Sequence, residues 1–581
     1  MPELPAPDKL NSHWLLTALK ADGRIDAAQQ ARAATRIAGS REHPLIAVGQ
    51  CELEDQGEDG GLLDAERLTE WLAERTDTRY QRIDPLQIDP AATAQAVAYA
   101  YARKAGILVL RRGHETATIA CGDPFDMRWK AELAPVLKSE IQTVLANPAD
   151  IDRYLLEFHS LHRASKKTHK RRGGTQVLEN LMRLGRRDNL SEDDQHVIGV
   201  VDWLLQYAFE NRASDIHLEP RRGIGRIRLR IDGALHDIYQ LPDNVFAAVT
   251  SRLKILAGCN LVERRRPQDG RIKTVSPEGR EVELRLATLP TAFGEKLVLR
   301  IFDPGLVVQG MQELGMQPEQ LSAWTRLCEA PHGLVLVTGP TGSGKTTTLY
   351  STLRALSSPR RNICTVEDPI ELIEPRINQT QVNASAGLGF AEGLRALLRQ
   401  DPDIIMVGEI RDRDTAATAL QAALTGHLVL ATLHTNTAVG AIVRLLELDV
   451  PAYLLRATLL GVLAQRLVRK LCPNCKTPEP EATLAARWTA LGVAAPQPDS
   501  AFAAVGCLEC RETGYRGRMG LYEVLVADSK MRQQIRDHTE ISELEEAARK
   551  AGLKSLRDAG AQAVAAGETS LDEVFHNLLF H

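Results

Sequence analysis

The chain has no apolar run approaching the roughly 18 residues that suggest a membrane-crossing helix. Its best candidate, "YLLRATLLGVLAQRL", is interrupted by Arg456. Aromatic residues are scarce, at 4% of 581, which leaves few rings for stacking on nucleic-acid bases. The net charge is −4, so bulk attraction to nucleic acid or to an acidic lipid surface is not expected. Nine cysteines in a chain this long are not a disulfide framework, and four of them fall in two C-x-x-C pairs. The opening "MPELPAPDKLNSHWLL" lacks a basic region followed by an apolar stretch, so no secretory signal is expected. These absences together predict a soluble cytosolic protein.

What is present is ordinary globular sequence, 44% hydrophobic and 25% charged. The length exceeds what one hydrophobic core organises, so three or more domains are expected. Residues 1–158 carry mixed helical patterns such as "LDAERLTEWLAERT". Residues 159–178 include the basic, nearly apolar-free stretch "HRASKKTHKRRGG", which reads as a solvated linker rather than a partner-binding patch. Over 179–305 the helical pattern "DDQHVIGVVDWLLQYAFE" leads into "GRIRLRIDG" and "EVELRLATL". Strict alternation in those stretches predicts half-buried strands and an α+β domain. Over 312–470, "GLVLVTG", "NICTV", "DIIMVGE" and "HLVLATL" alternate with helical stretches. That pattern predicts a parallel sheet with covered faces, whose ligands gather at the carboxyl ends of the strands. Residues 471–518 hold the cysteine pairs. Residues 519–581 read as helical, ending in "TSLDEVFHNLL" with Thr569 or Ser570 as the cap.

The sharpest motif is "GPTGSGKTTTLYSTL" at 339–353, which fits G-x-x-x-x-G-K-[ST] between a predicted strand and a predicted helix. Glycines permit a turn whose backbone N–H groups face phosphates, and the helix N-terminus adds a favourable dipole. The loop residues are Gly339, Pro340, Thr341, Gly342, Ser343, Gly344, Lys345, Thr346 and Thr347. Lys345 would neutralise β- and γ-phosphate oxygens and Thr346 would hold Mg²⁺. Hydrolysis also needs an acid to orient water. "DPDIIMVGEIRD" brings Glu409 to a strand end, with Gly408 where many such proteins carry Asp. "NICTVEDPIE" brings Glu367 and Asp368 to a similar level. "GLRALLRQ" is expected to align Arg395 and Arg399 on one helix face, either solvated or reading an anion, with Leu394, Leu397 and Leu398 on another. His427 and His434 flank "LVLATL"; a lone strand-end histidine is ordinarily structural.

Cys472 and Cys475 form one C-x-x-C pair, Cys507 and Cys510 the other. Four thiolates in two chelating turns suit a tetrahedral Zn²⁺ site with no open coordination position, hence a structural one. Neither pair starts a thioredoxin-like strand-to-helix unit, which argues against a redox role. The aromatic scarcity argues against a nucleic-acid-binding zinc ribbon.

From about residue 195 to 575 the chain resembles the secretion ATPases of the type II secretion and type IV pilus assembly class, the GspE-like traffic ATPases. The matching stretches are "RASDIHLE", "PQDGR", "TLPTAFGEKLVLR", the phosphate loop, "TVEDPIE", "LRQDPDIIMVGEIRD", "TGHLVLATLHTN" and "RLVRKLCPNC". The resemblance implies an ATPase working with ATP and Mg²⁺ as a homo-hexamer, with a PAS-like domain and a RecA-like domain joined by a short linker. It implies that Arg285 and Arg300 of the smaller domain sense phosphate, and that Arg395, Arg399 and Arg411 match arginines of the larger domain with a phosphate-sensing or interface role. Glu367 and Asp368 fall in its Asp box, His427 and His434 in its His box. It further implies a cytoplasmic location peripheral to the inner membrane, reached through a platform protein and a bitopic docking protein, with no nucleic-acid partner. The cysteine element is shared with assembly and secretion members, whereas retraction members generally lack it.

Departures from the family pattern are Arg266 for a usual Leu, Ala287 for Ser and Thr437 for a frequent Asp. None removes a group the chemistry needs. The N-terminal stretch "GGLLDAERLTEWLAERTDTRYQRIDPLQID" looks like family domains that dock on the membrane partner. Some such domains bind cyclic di-GMP, but the Arg-Leu-Gly opening of that motif is absent before "ALKADGRI", which argues against that ligand.

Overall fold

The computed structural model describes residues 6–40, 42–57, 60–83, 88, 90–113, 115–167, 195–277, 279–302, 310–493 and 496–578. It divides into two compact units, Met1–Ile301 and Phe302–His581, giving the mixed α/β, multi-domain class expected.

The first unit contains two separate sheets and two separate cores. The N-terminal sheet has β1 (Ile107–Arg112) antiparallel to β2 (Thr116–Cys121), and β2 parallel to β3 (Glu140–Leu145). The helix expected around "AERLTEWLAER" spans Ala65–Arg75. Asp64 caps it by accepting from the Arg67 N–H, and Leu68, Trp71 and Leu72 are buried at helical spacing. The helix Pro148–Lys167 runs well past residue 159, so the expected linker overlaps a helix; its remainder, 168–178, lies outside the described residues.

The second sheet has the order β6-β5-β4-β9-β8-β7. Its strands are β4 (Ala213–Arg221), β5 (Ile224–Ile231), β6 (Ala234–Pro242), β7 (Gln268–Val275), β8 (Glu281–Thr291) and β9 (Gly294–Phe302). Helices Gln195–Glu210 and Asp243–Leu256 supply Val200, Leu204, Val245 and Val249 to the core that Ile216, Leu229, Leu284, Leu286, Leu297 and Leu299 form on one face. Alternation sends Asp215, Arg228, Arg285 and Arg300 to the other face. The predicted α+β pattern is met.

In the second unit one sheet carries the order β12-β11-β13-β14-β10-β15-β18. The four expected strands are β10 (Gly333–Thr338), β11 (Ile363–Glu367), β13 (Ile404–Val407) and β14 (Leu428–Leu433). They are parallel, and every residue in them is buried, as expected for a sheet covered on both faces. β12 (Asn378–Gln381) extends one edge. β15 (Leu459–Leu471) extends the other, followed by antiparallel β18 (Tyr515–Val526); between them in the chain, β16 (Thr477–Pro478) and β17 (Phe502–Ala503) pair as a separate two-stranded sheet.

β18 corrects the wholly helical reading of 519–581. Its alternate residues Met519 and Leu521 join one face of the sheet while Tyr522 joins the other, so a two-sided strand mimics a buried helix in sequence. Helices Ser529–Gln534, Ile541–Lys550, Leu556–Ala565 and Leu571–Leu578 follow it. Ser570, not Thr569, caps the last of these: its Oγ accepts from the Glu573 N–H at 3.2 Å, while Thr569 Oγ1 donates to the Arg469 carbonyl. No helix among the described residues is long and apolar enough to cross a membrane.

Candidate nucleotide site and metal centre

The phosphate loop leaves the carboxyl end of β10 and enters the helix Lys345–Leu356. Gly339 (φ +153°) admits no side chain, because a Cβ there would lie 2.5 Å from Ser343 Oγ and 2.6 Å from the Gln465 carbonyl. Gly344 (φ +89°) caps the helix in the left-handed region. Lys345 Nζ donates to the carbonyls of Gly339 at 2.7 Å and Pro340 at 3.1 Å. Burial pushes its ammonium down to about 8, with Glu409 opposing the shift and Arg466 adding to it. Thr346 and Thr347 are half-buried on the first helical turn, and Thr341 is exposed.

Glu409 stands just beyond β13, half-buried, paired with Arg411 and 3.4 Å from His434 Nε2. Burial lowers the pKa of His434 and the Lys345 charge lowers it further, against the pull of Glu409. Arg411 also lies 4.0 Å from exposed Asp368. At Gly408 a Cβ would sit 3.2 Å from the Val366 carbonyl and 3.4 Å from Glu367 Cα, a tight fit in which the neighbouring strand would have to give by a few tenths of an ångström. Glu367, by contrast, is tied down. Tyr350 OH donates to it at 2.6 Å, Thr365 Oγ1 at 2.6 Å and Gln379 Nε2 at 3.1 Å. With both oxygens occupied, it holds β11 to the phosphate-loop helix.

Several expected site residues are not brought together. His427 lies at the start of β14, its Nδ1 3.0 Å from the Ala422 carbonyl. The six residues of that strand put roughly 20 Å between it and His434. The helix Phe390–Leu397 ends before Arg399, so Arg395 and Arg399 do not share a helix face; Arg395 pairs with Glu392 at 3.3 Å. Arg285 and Arg300 belong to the first unit. Arg300 Nε donates to Asp215 at 3.0 Å, and Arg285 lies 3.9 Å from Glu283.

The four cysteines converge as expected. Sγ–Sγ separations are 3.8 Å (Cys472–Cys507), 3.7 Å (Cys475–Cys510) and 3.7 Å (Cys507–Cys510), and all four lie within 4.8 Å of one another. A tetrahedron with Zn–S bonds of about 2.3 Å has edges of about 3.8 Å, so the donor set and its spacing fit zinc. N–H groups of Cys507 and Gly514, each 3.2 Å from Cys510 Sγ, add the hydrogen bonding that supports a thiolate ligand.

A family model described as "Type II/IV secretion system protein" matches residues 190–576, and a second, "MshEN domain", matches 76–165. The chain belongs to the type II/IV secretion family. Among its relatives is the type IV pilus assembly ATPase TfpB of Acinetobacter baylyi, 46% identical over 97% of this chain and 98% of the relative. The type IV pilus assembly ATPase PilB of Myxococcus xanthus is 37% identical over 89% and 92%. The type II secretion system protein E of Pseudomonas aeruginosa is 48% identical over 66% and 76%. The X-ray structure of the Legionella pneumophila ATPase DotB superposes with a TM-score of 0.50 at 22% identity, over 67% of this chain and 96% of that one, a likeness of fold. This chain is therefore a traffic ATPase of the secretion and pilus class.

In this traffic ATPase, sequence reading misses the residues that hold the site in shape. Thr338 Oγ1 lies 2.7 Å from Thr435 Oγ1 and accepts from the Thr435 N–H at 2.9 Å. Gln465 and Arg466 of β15 contact the phosphate loop and Asn436. The available signal was a Gln-Arg pair inside the otherwise apolar "LLGVLAQRLV", since polar residues in a buried strand need partners.

Proposed function

We propose that this chain is the ATP-hydrolysing motor of a type IV pilus assembly system. The observation that carries the reading is the full-length match to a pilus assembly ATPase, over 97% and 98% of the two chains, where the type II secretion relative covers 66% of this one. In this reading Lys345 neutralises the β- and γ-phosphates and Thr346 holds Mg²⁺. Glu409, steadied by His434 and Arg411, orients the attacking water. Asp368 supports the metal through water. Arg285 and Arg300 are delivered to the triphosphate as a homo-hexamer turns over, and Arg395 and Arg399 face subunit contacts. The N-terminal region, about 1–158, docks on the inner-membrane machinery. The 179–305 region is the PAS-like arm, 312–470 the RecA-like core and 471–518 the zinc element. The protein would work in the cytoplasm, meeting the membrane through its platform and docking partners.

Deleting the chain in its host should abolish surface pili, with restoration by the wild-type chain and none by Lys345→Ala. Normal pili in the deletion strain, together with loss of exported enzymes from the medium, would replace pilus assembly by type II secretion.

For the metal centre, protein purified under reducing conditions is expected to carry about one zinc per chain. Because such sites contribute folding free energy directly, Cys475→Ser should raise hydrogen exchange over 471–518. Nucleotide binding should largely survive, since β15 and β18 pair along their own length. Metal analysis finding no zinc would contradict the assignment.

A further inference from the structure

The site holds a fully buried amide that neither the phosphate-loop motif nor the strand-end acids account for. Gln465, 1% exposed, donates from Nε2 to the Ser343 carbonyl at 2.6 Å and accepts at Oε1 from Thr348 Oγ1 at 2.8 Å. The Ser343 carbonyl can only accept, so the orientation of the amide is determined. In a trans peptide the C=O and the following N–H point in opposite directions. Anchoring the Ser343 carbonyl to Gln465 therefore turns the Gly344 N–H away from that side chain. Thr348 lies one turn into the helix, so one side chain fixes both the loop and the helix start.

The next residue acts on the other loop. Arg466 is buried, and its guanidinium donates to Asn436 Oδ1 at 2.8 Å and to the Gln465 carbonyl at 3.2 Å. Burial disfavours its charge, and Glu523 opposes that electrostatically. Asn436 is two residues beyond His434, which faces Glu409. Successive strand residues point to opposite faces, so adjacent positions on β15 reach loops on both sides of the sheet.

We infer that Gln465 and Arg466 are positioning residues for ATP hydrolysis: Gln465 presets the phosphate cradle, and Arg466 holds the loop that places His434 against Glu409. The inference rests on the nucleotide reading of the site.

It predicts opposite kinetic signatures. Gln465→Met keeps side-chain volume but leaves the Ser343 carbonyl without its partner and removes the acceptor of the Thr348 hydroxyl, a loss worth about tenfold or more in affinity. The Kd for a fluorescent ADP analogue and the KM for ATP should rise together by that factor, with kcat falling less. Arg466→Gln should lower kcat about tenfold while ADP affinity stays within about twofold, and Arg466→Lys, which keeps one charged donor, should recover most of the rate. A purely structural role would lower the folded fraction without separating the two parameters. If Gln465→Met does not fold, Gln465→Glu serves. It keeps the acceptor for Thr348 and sets a carboxylate against the Ser343 carbonyl, so parental ADP affinity in that variant overturns the inference. Folded variants with parental KM, kcat and ADP affinity overturn it as well. Failure of the nucleotide reading looks different: the wild-type chain itself would neither bind the ADP analogue nor lose turnover on Lys345→Ala.

Discussion

ATP turnover by the Lys345→Ala protein is expected to fall at least about a hundredfold to a thousandfold, the usual cost of removing one fixed positive group from a developing charge. Glu409→Gln should bind nucleotide with near-parental affinity yet hydrolyse about a hundredfold more slowly. The substitution keeps the shape and removes the carboxylate that orients water. The structure adds a pH signature. Burial holds the free Lys345 ammonium at about 8, and a bound polyphosphate stabilises its charged form. Below that value the lysine is already protonated; above it, binding must take up a proton. Affinity for ADP should therefore fall by up to tenfold per unit as pH rises past about 8. Titration calorimetry in buffers of different ionisation enthalpy should register proton uptake in that range. Near-normal turnover by Glu409→Gln would remove the strand-end acid from the mechanism, and a flat pH profile would remove the lysine from phosphate neutralisation.

Turnover is also expected to drop roughly a thousandfold or more on Arg285→Ala or Arg300→Ala, the usual worth of an arginine delivered to a transferring phosphoryl group. Both residues belong to Met1–Ile301 and the phosphate loop to Phe302–His581. A role at the phosphates thus requires the first unit, of this chain or of a neighbouring copy, to meet the phosphate loop during the cycle. Closing such head-to-tail contacts around a ring gives cyclic symmetry, and opening them when the γ-phosphate leaves couples chemistry to motion. ADP affinity should stay nearly unchanged in both variants. Arg300 gives a further check, because its Nε bonds Asp215: Asp215→Asn should lower turnover less than Arg300→Ala, since the guanidinium remains. Intact hydrolysis in both arginine variants at concentrations where the ring is assembled would exclude this coupling.

The parts legible in sequence share one property: their chemistry is local. The phosphate loop, with three glycines at positive φ (Gly339, Gly342 and Gly344), is specified by neighbours in the chain, and so is each C-x-x-C turn. Strands β10, β11, β13 and β14 were legible because burial on both faces writes an unbroken apolar run. The same rule explains the error over 519–526, the part of β18 read as helical. There "YRGRMGLYEVLV" mixes polar and apolar residues as an edge-side strand does, and only its pairing along β15 makes it one. The expected Arg395–Arg399 face failed at a boundary, where the helix stops two residues early.

By itself the sequence determined the nucleotide loop, the acid that follows β13, the four sulfur donors and membership of the traffic ATPases, because each depends on residue type at a fixed spacing. The tertiary structure decided which partners each candidate charge has. It gave Glu409 to Arg411 and His434, locked Glu367 into a hydrogen-bonded network with Tyr350, Thr365 and Gln379, and sent His427 to the far end of its strand. It also placed Gln465, more than a hundred residues away in sequence, against Ser343. The reason is physical: the value of a buried polar group is set by the partners that reach it, and those partners come from strands distant in the chain.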